Sequence, residues 1–187
     1  MKRITGRQRI LAIFCGGVLF GTLLANLVPK LYLPTAAELL GELATLLEGP
    51  TSAYSGYFRY LLGIRLIPVL VIWICLLTPY GGEGLCVAAF WYGICCGAVI
   101  SGAVLLYGIA GVLLFLTAVF PQYVFYVLIF MQLIAKHELR KNRRHGQPWS
   151  FSEEVGFLLV ITVLFLAGVL LETYLNPLML RLGFLMV

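Results

Sequence analysis

The chain has 187 residues, of which 61% are apolar and only 11% charged, and its mean hydropathy is +1.00. A soluble domain carries about 25% charged residues, and several charge-free runs here are long enough to cross a bilayer, so the composition excludes a soluble globular protein. The expected fold is an all-α bundle of about five transmembrane helices in one membrane domain, residues 1–187.

Lys2, Arg3, Arg7 and Arg9 precede an apolar stretch from Ile10 to Val28, the first crossing. No small-x-small cleavage site follows it, and Phe14 stands before Cys15 where a lipoprotein signal needs a small residue. An uncleaved first helix is expected.

Residues 29–62 form the longest segment between crossings. Within "PTAAELLGELATLLEG", Thr35 and Glu38 have capping-box spacing. Glu38, Glu42 and Glu48 fall near one face of the helix that follows, opposite a stripe of Leu39, Leu40, Leu43, Leu46 and Leu47. Such a helix lies on the membrane surface or docks a partner, and Leu43 is the candidate contact. Tyr54, Tyr57 and Tyr60 then make an aromatic belt ahead of the second crossing, 63–79, which Arg65 enters.

"PYGGEG" at 79–84 reads as a tight turn into the third crossing, 85–105. Gly17 and Gly21 in the first helix, and Gly93 and Gly97 followed by Ser101 and Gly102 in the third, have the spacing that lets helices approach closely. They indicate packing and leave a homo-oligomer open. The five cysteines (15, 75, 86, 95 and 96) lie in or beside apolar runs without CxxC or Cys/His spacing, so zinc is unsupported, and Cys95-Cys96 reads as two small apolar residues at a helix contact.

The fourth crossing, 108–135, contains "LTAVFPQYVF" near its middle. Its 28 residues span about 42 Å against a core of about 30 Å, so a tilt or break is required. Pro121 supplies it by removing a hydrogen bond to the carbonyl of Thr117, and Gln122 is the candidate to bond within the bundle. The expectation is a broken helix facing protein. The loop 136–153 follows, holding Lys136, Arg140, Lys141, Arg143 and Arg144, with His137 and His145 solvated among them. It ends in a second capping box, Ser150 and Glu153, ahead of the fifth crossing, 155–175.

Five crossings put the N-terminal basic cluster and the 136–144 cluster on one face, which the positive-inside rule makes cytoplasmic. The segment 29–62 and the C-terminus are then extracytoplasmic. Glu172, near the end of the fifth helix, and Arg65, near the start of the second, are expected at similar depth and in contact. The chain contains no aspartate, and its two histidines share the basic face. No Ser/His/Asp set, HExxH, phosphate loop or dinucleotide motif occurs, so neither an enzyme, a cofactor nor nucleic-acid binding is expected.

From the second helix onward the chain resembles the stage II sporulation protein M family. The residues carrying the resemblance are "LLTPYGGEG" (76–84), "FWYGICCGAVISG" (90–102), "YGIAGVLLFLTAVFPQYVFYVLI" (107–129) and "AGVLLETYLNPLML" (167–180). The family pattern places a helix-breaking proline in the fourth span and closes the last span with an acid, an aromatic and a proline. Pro121, Gln122, Glu172 and Pro177 match those positions. Family members often carry a basic residue before the glycine of the third span, where this chain has Trp91-Tyr92-Gly93. The resemblance implies a non-enzymatic scaffold in a bacterial cell membrane. Its implied partners are cell-wall hydrolases resembling stage II sporulation proteins D and P, which thin septal peptidoglycan during forespore engulfment. The competing expectation, drawn from the broken helix, is a transporter or permease-like subunit.

Overall fold

The computed structural model describes residues 6–28, 34, 38, 54–142 and 150–185; within these, the side chains at 54, 55, 142 and 181–185 are left aside. Apart from residue 38, the proposed 36–48 helix lies outside the described residues, as do Leu43 and His145.

The described residues form an all-helical bundle: α1 (Gly6–Leu27), α2 (Tyr54–Leu77), α3 (Gly81–Tyr107), α4 (Ile109–Val119), α5 (Gln122–Asn142) and α6 (Phe151–Leu185). α1, α2, α3 and α6 are each long and apolar enough to cross a membrane, and the bent pair α4–α5 passes the same test together. The angle between α4 and α5 is 63°. A hairpin returning to the face it entered needs a reversal beyond a right angle, so the pair advances in one general direction, as a broken span does. α5 covers the stretch from mid-bundle to one end, because Tyr126 bonds Glu172 beside Arg65, midway along α2, and Arg140 bonds the last turn of α2.

Contacts between helices fix their directions. Gly17 and Gly21 of α1 pack on Phe90, Gly93 and Ile94 of α3, while Gly97 packs on Val18 and Thr22. Residue numbers rise together, so α1 and α3 are parallel. Tyr126 of α5 meets Glu172 of α6 and Lys136 meets Glu154, so α6 runs antiparallel to α5. Arg65 and Leu76 of α2 meet Tyr126 and Arg140 of α5 in rising order, so α2 is parallel to α5. One end of the bundle collects Arg7, Glu138, Arg140, Lys136 and Glu154. Arg65, midway along α2, meets Glu172 at the level of Tyr92 in α3, well inside the bundle. The other end holds the α3–α4 turn, where Gly108 at φ 60° supplies a left-handed residue that a side chain would oppose. Between them lies an apolar core that includes Leu61, Leu76, Leu85, Ile129, Leu133, Ile161, Phe165 and Val169.

Several boundaries differ from the sequence expectation. The second helix starts at Tyr54 rather than at residue 63. Tyr57 and Tyr60 therefore sit in its first two turns, since nothing in "YSGYFRY" breaks a helix once tertiary contacts reward it. α2 also tolerates Pro68 in its interior, which withholds an N–H from the Ile64 carbonyl. The turn at 79–84 shrinks to 78–80, and Gly81, Gly82 and Gly84 become the first turn of α3, lying against His137 and Cys75. Residues 136–142 are the last turns of α5, not a loop. Hydropathy falls after Ala135, yet "KHELR" is made of good helix formers, and Arg140 and Lys141 suit a helix C-terminus. His137 is accordingly half-buried rather than solvated. The last helix is 35 residues long and keeps Pro177 inside it, so Pro177 does not close it. The broken span does not face protein all round: Leu113, Leu116, Phe120, Val124, Val127 and Leu128 are exposed. Cys95 is likewise exposed, which leaves the half-buried Cys96 as the member of that pair facing a neighbour.

The second capping box is formed, with the Ser150 backbone N–H donating to the Glu153 carboxylate at 2.9 Å.

A Cβ added at Gly97 would run into the backbone of Val18 and Thr22, whereas one at Gly16 meets nothing within 4 Å. Gly97→Ala is therefore expected to destabilise the protein by about 1–3 kcal/mol. Gly16→Ala should be neutral, or stabilising by about 0.5–1 kcal/mol. Thermal melting of both variants in detergent checks this; equal effects would remove the α1–α3 crossing as a tight contact.

Candidate functional site

The most polar constellation buried among the helices is centred on Glu172. Its side chain is 6% exposed, which an ionised carboxylate tolerates only when paired and hydrogen-bonded. Arg65 provides the pairing: Nε donates to the two carboxylate oxygens at 3.2 and 3.0 Å, and Nη2 donates to Oε1. The Tyr126 hydroxyl donates to Oε2 at 2.6 Å, and its ring lies under the guanidinium at 5.4 Å. A single carboxylate thus ties α2, α5 and α6 together. Tyr57, Tyr92 and Tyr123 stand within electrostatic reach of Arg65, so three helices contribute phenols around the cation. Tyr123 also meets Tyr126 edge-on at 5.9 Å.

One turn along α6 from Glu172 is Asn176, 9% exposed, and between them lies the fully buried Thr173, whose hydroxyl bonds the Val169 carbonyl at 2.8 Å. Pro177, also buried, deprives the Thr173 carbonyl of its usual N–H donor. Pro121 lies at the junction of α4 and α5, outside either helix, and redirects the chain there. Gln122 opens α5 and is 1% exposed, with its amide nitrogen donating to the Ala118 carbonyl. The freed carbonyl it serves is thus one residue beyond the Thr117 anticipated from the proline rule.

A second buried pair occupies the basic end. Lys136 is 2% exposed, bonds Glu154, and sits over the Phe157 ring at 4.0 Å. Arg140 donates to the Leu76 carbonyl in the last turn of α2, and Arg7 approaches Glu138 at 3.6 Å.

The structure therefore brings Arg65 and Glu172 together, and sets Pro121 and Gln122 one helical turn beyond Tyr126. Gly93 and Gly97 belong to a separate place, the α1–α3 crossing. Sequence reasoning missed Tyr126, Asn176, Lys136 and Glu154. Tyr126 had a readable signal, being four residues after Gln122 on the same face of a helix. The Lys136–Glu154 pair had none, because it depends on two helices meeting across the connection 143–149.

Among the described residues no group of three His, Cys, Asp or Glu is placed to hold a metal ion. Comparison with family models, with curated proteins and with solved structures finds no match.

Arg65→Gln and Glu172→Gln each strand one charge, and each should cost about 3 kcal/mol, the low end for a buried pair because Arg65 is partly exposed. The double variant should cost clearly less than the sum. Unfolding of the four proteins under one condition measures the coupling; strict additivity would leave the two residues independent.

Proposed function

We propose that this protein is a non-enzymatic scaffold of a bacterial cell membrane, resembling stage II sporulation protein M, that holds cell-wall hydrolases at the outer face for septal peptidoglycan remodelling. The observation that carries this reading is where the buried charge goes. Arg65 closes on Glu172, Lys136 on Glu154, and Arg140 on the end of α2. Groups spent on one another in this way lock α2, α5 and α6 into a fixed frame. The sequence resemblance supports the rest: the order of spans and the matches at Pro121, Gln122, Glu172 and Pro177. In this reading the basic end faces the cytoplasm by the positive-inside rule. The segment 29–53 then presents its leucine stripe outside, where hydrolases work.

A transporter or permease-like subunit is the second reading. It is favoured by one feature, a broken span with a buried glutamine at the break. Loss of uptake or export in Gln122→Leu, with folding intact, would favour it over the scaffold.

Topology is testable directly. In a background without native cysteines, a cysteine replacing Asn142 should resist an impermeant thiol reagent in intact cells and react after lysis. Labelling in intact cells would invert the assigned orientation. Partner docking is tested by co-purification from native membranes. The wild-type chain should recover outer-face hydrolases, and Leu43→Glu should lose them without altering the melting of the bundle. Recovery unchanged in Leu43→Glu would remove the leucine stripe from the interface.

A further inference from the structure

Two side chains at the level of the break between α4 and α5 present a buried oxygen without a donor. The first is Gln122, 1% exposed, whose side-chain oxygen is buried and has no hydrogen-bond partner. Its orientation is determined: the amide nitrogen is engaged by the Ala118 carbonyl, and turning the amide over would set oxygen against oxygen. The second is Asn176, 9% exposed, whose side-chain oxygen is also buried without a partner. These oxygens stand at one level. α5 and α6 run antiparallel with Tyr126 against Glu172, so one turn from that bond leads to Gln122 on α5 and to Asn176 on α6. The C-terminus of α4, the negative end of its dipole, terminates at the same place.

Gln122 presents an acceptor in a fixed orientation, and the Asn176 amide can turn its oxygen to the same level. Together with the helix end, the set suits an occupant that only donates or is itself positive. We propose that the break between α4 and α5 is a binding site for a small monovalent cation, held by the side-chain oxygens of Gln122 and Asn176 and by the carbonyls ending α4. Uncharged oxygens suit a singly charged ion. Divalent calcium and magnesium favour carboxylates, and the one a turn away on α6, Glu172, is already neutralised by Arg65. Broken helices hold such ions because the interruption exposes carbonyls where hydrocarbon excludes water. The role is structural: the ion completes the junction that Pro121 opens and joins α4, α5 and α6 at a point the Arg65–Glu172 pair does not reach. The site does not rest on the scaffold reading, and failure to recover hydrolases leaves it untouched.

The test uses the purified full-length chain in detergent, melted in choline chloride, sodium chloride and potassium chloride at equal ionic strength. The wild-type melting temperature should rise saturably with sodium or potassium relative to choline. Gln122→Leu and Asn176→Leu should each melt alike in all three salts. Equal melting of the wild type in the three salts would mean that water or nothing serves these oxygens, and would overturn the proposal. A salt response retained in both variants would place the ion elsewhere and overturn it equally. Should the variants fail to fold, sodium NMR line broadening on the wild type, reversed by competing potassium, reads the same site; its absence counts against it.

Discussion

A carboxylate enclosed by apolar helices must be neutralised, and most of the arrangement midway along this bundle follows from neutralising Glu172. Arg65 reaches it from α2 and Tyr126 from α5. Each contact fixes both the height and the rotation of its helix, because the guanidinium and the phenol have little freedom once bonded. With that register set, Lys136 on α5 arrives opposite Glu154 on α6, and Arg140 arrives at the final turn of α2. Ion pairs of this kind add little net stability, since desolvation offsets the attraction. Their effect is to make any other register costly, which is a statement about specificity.

The remaining helices obey a different constraint. α1 and α3 carry no buried charge against each other, and they associate because glycine at 17, 21, 93 and 97 lets their backbones meet. Without a hydrophobic drive between helices in lipid, close packing of this sort is what holds a peripheral helix. The break in the fourth span joins the two regimes. α4 turns back at Gly108 and lays Gly111 against Ala103 of α3, while α5 starts beside the Arg65–Glu172–Tyr126 tie and continues to the basic end.

The all-helical class and the positions of the spans were legible from apolar runs, because a bilayer demands long stretches with satisfied backbone. So were the break at Pro121, which rests on the missing N–H, and the depth shared by Arg65 and Glu172, which rests on helical rise. Helix ends were not legible where hydropathy and helix propensity disagree. "KHELR" is polar yet helical, and "YSGYFRY" reads as interface yet continues α2. The resemblance led to Pro177 as a terminator, but a proline whose freed carbonyl lies within a buried turn is compatible with a continuing helix. Tyr126 and Lys136 escaped notice because an aromatic in an apolar run and a lysine beside basic neighbours look ordinary until the opposing helix is placed.

The parallel pairing of α1 with α3 has a consequence for biosynthesis. α1 leaves the ribosome before α3, so its small-residue groove has no counterpart until Gly93 and Gly97 have been translated and inserted. α2, the intervening span, does not cover that groove and instead waits for Tyr126 and Glu172, which come later still. The early spans must therefore dwell in the bilayer, or beside the insertion machinery, as unpaired helices. Arg65 is the member least suited to such a delay, since its carboxylate partner is made 107 residues later.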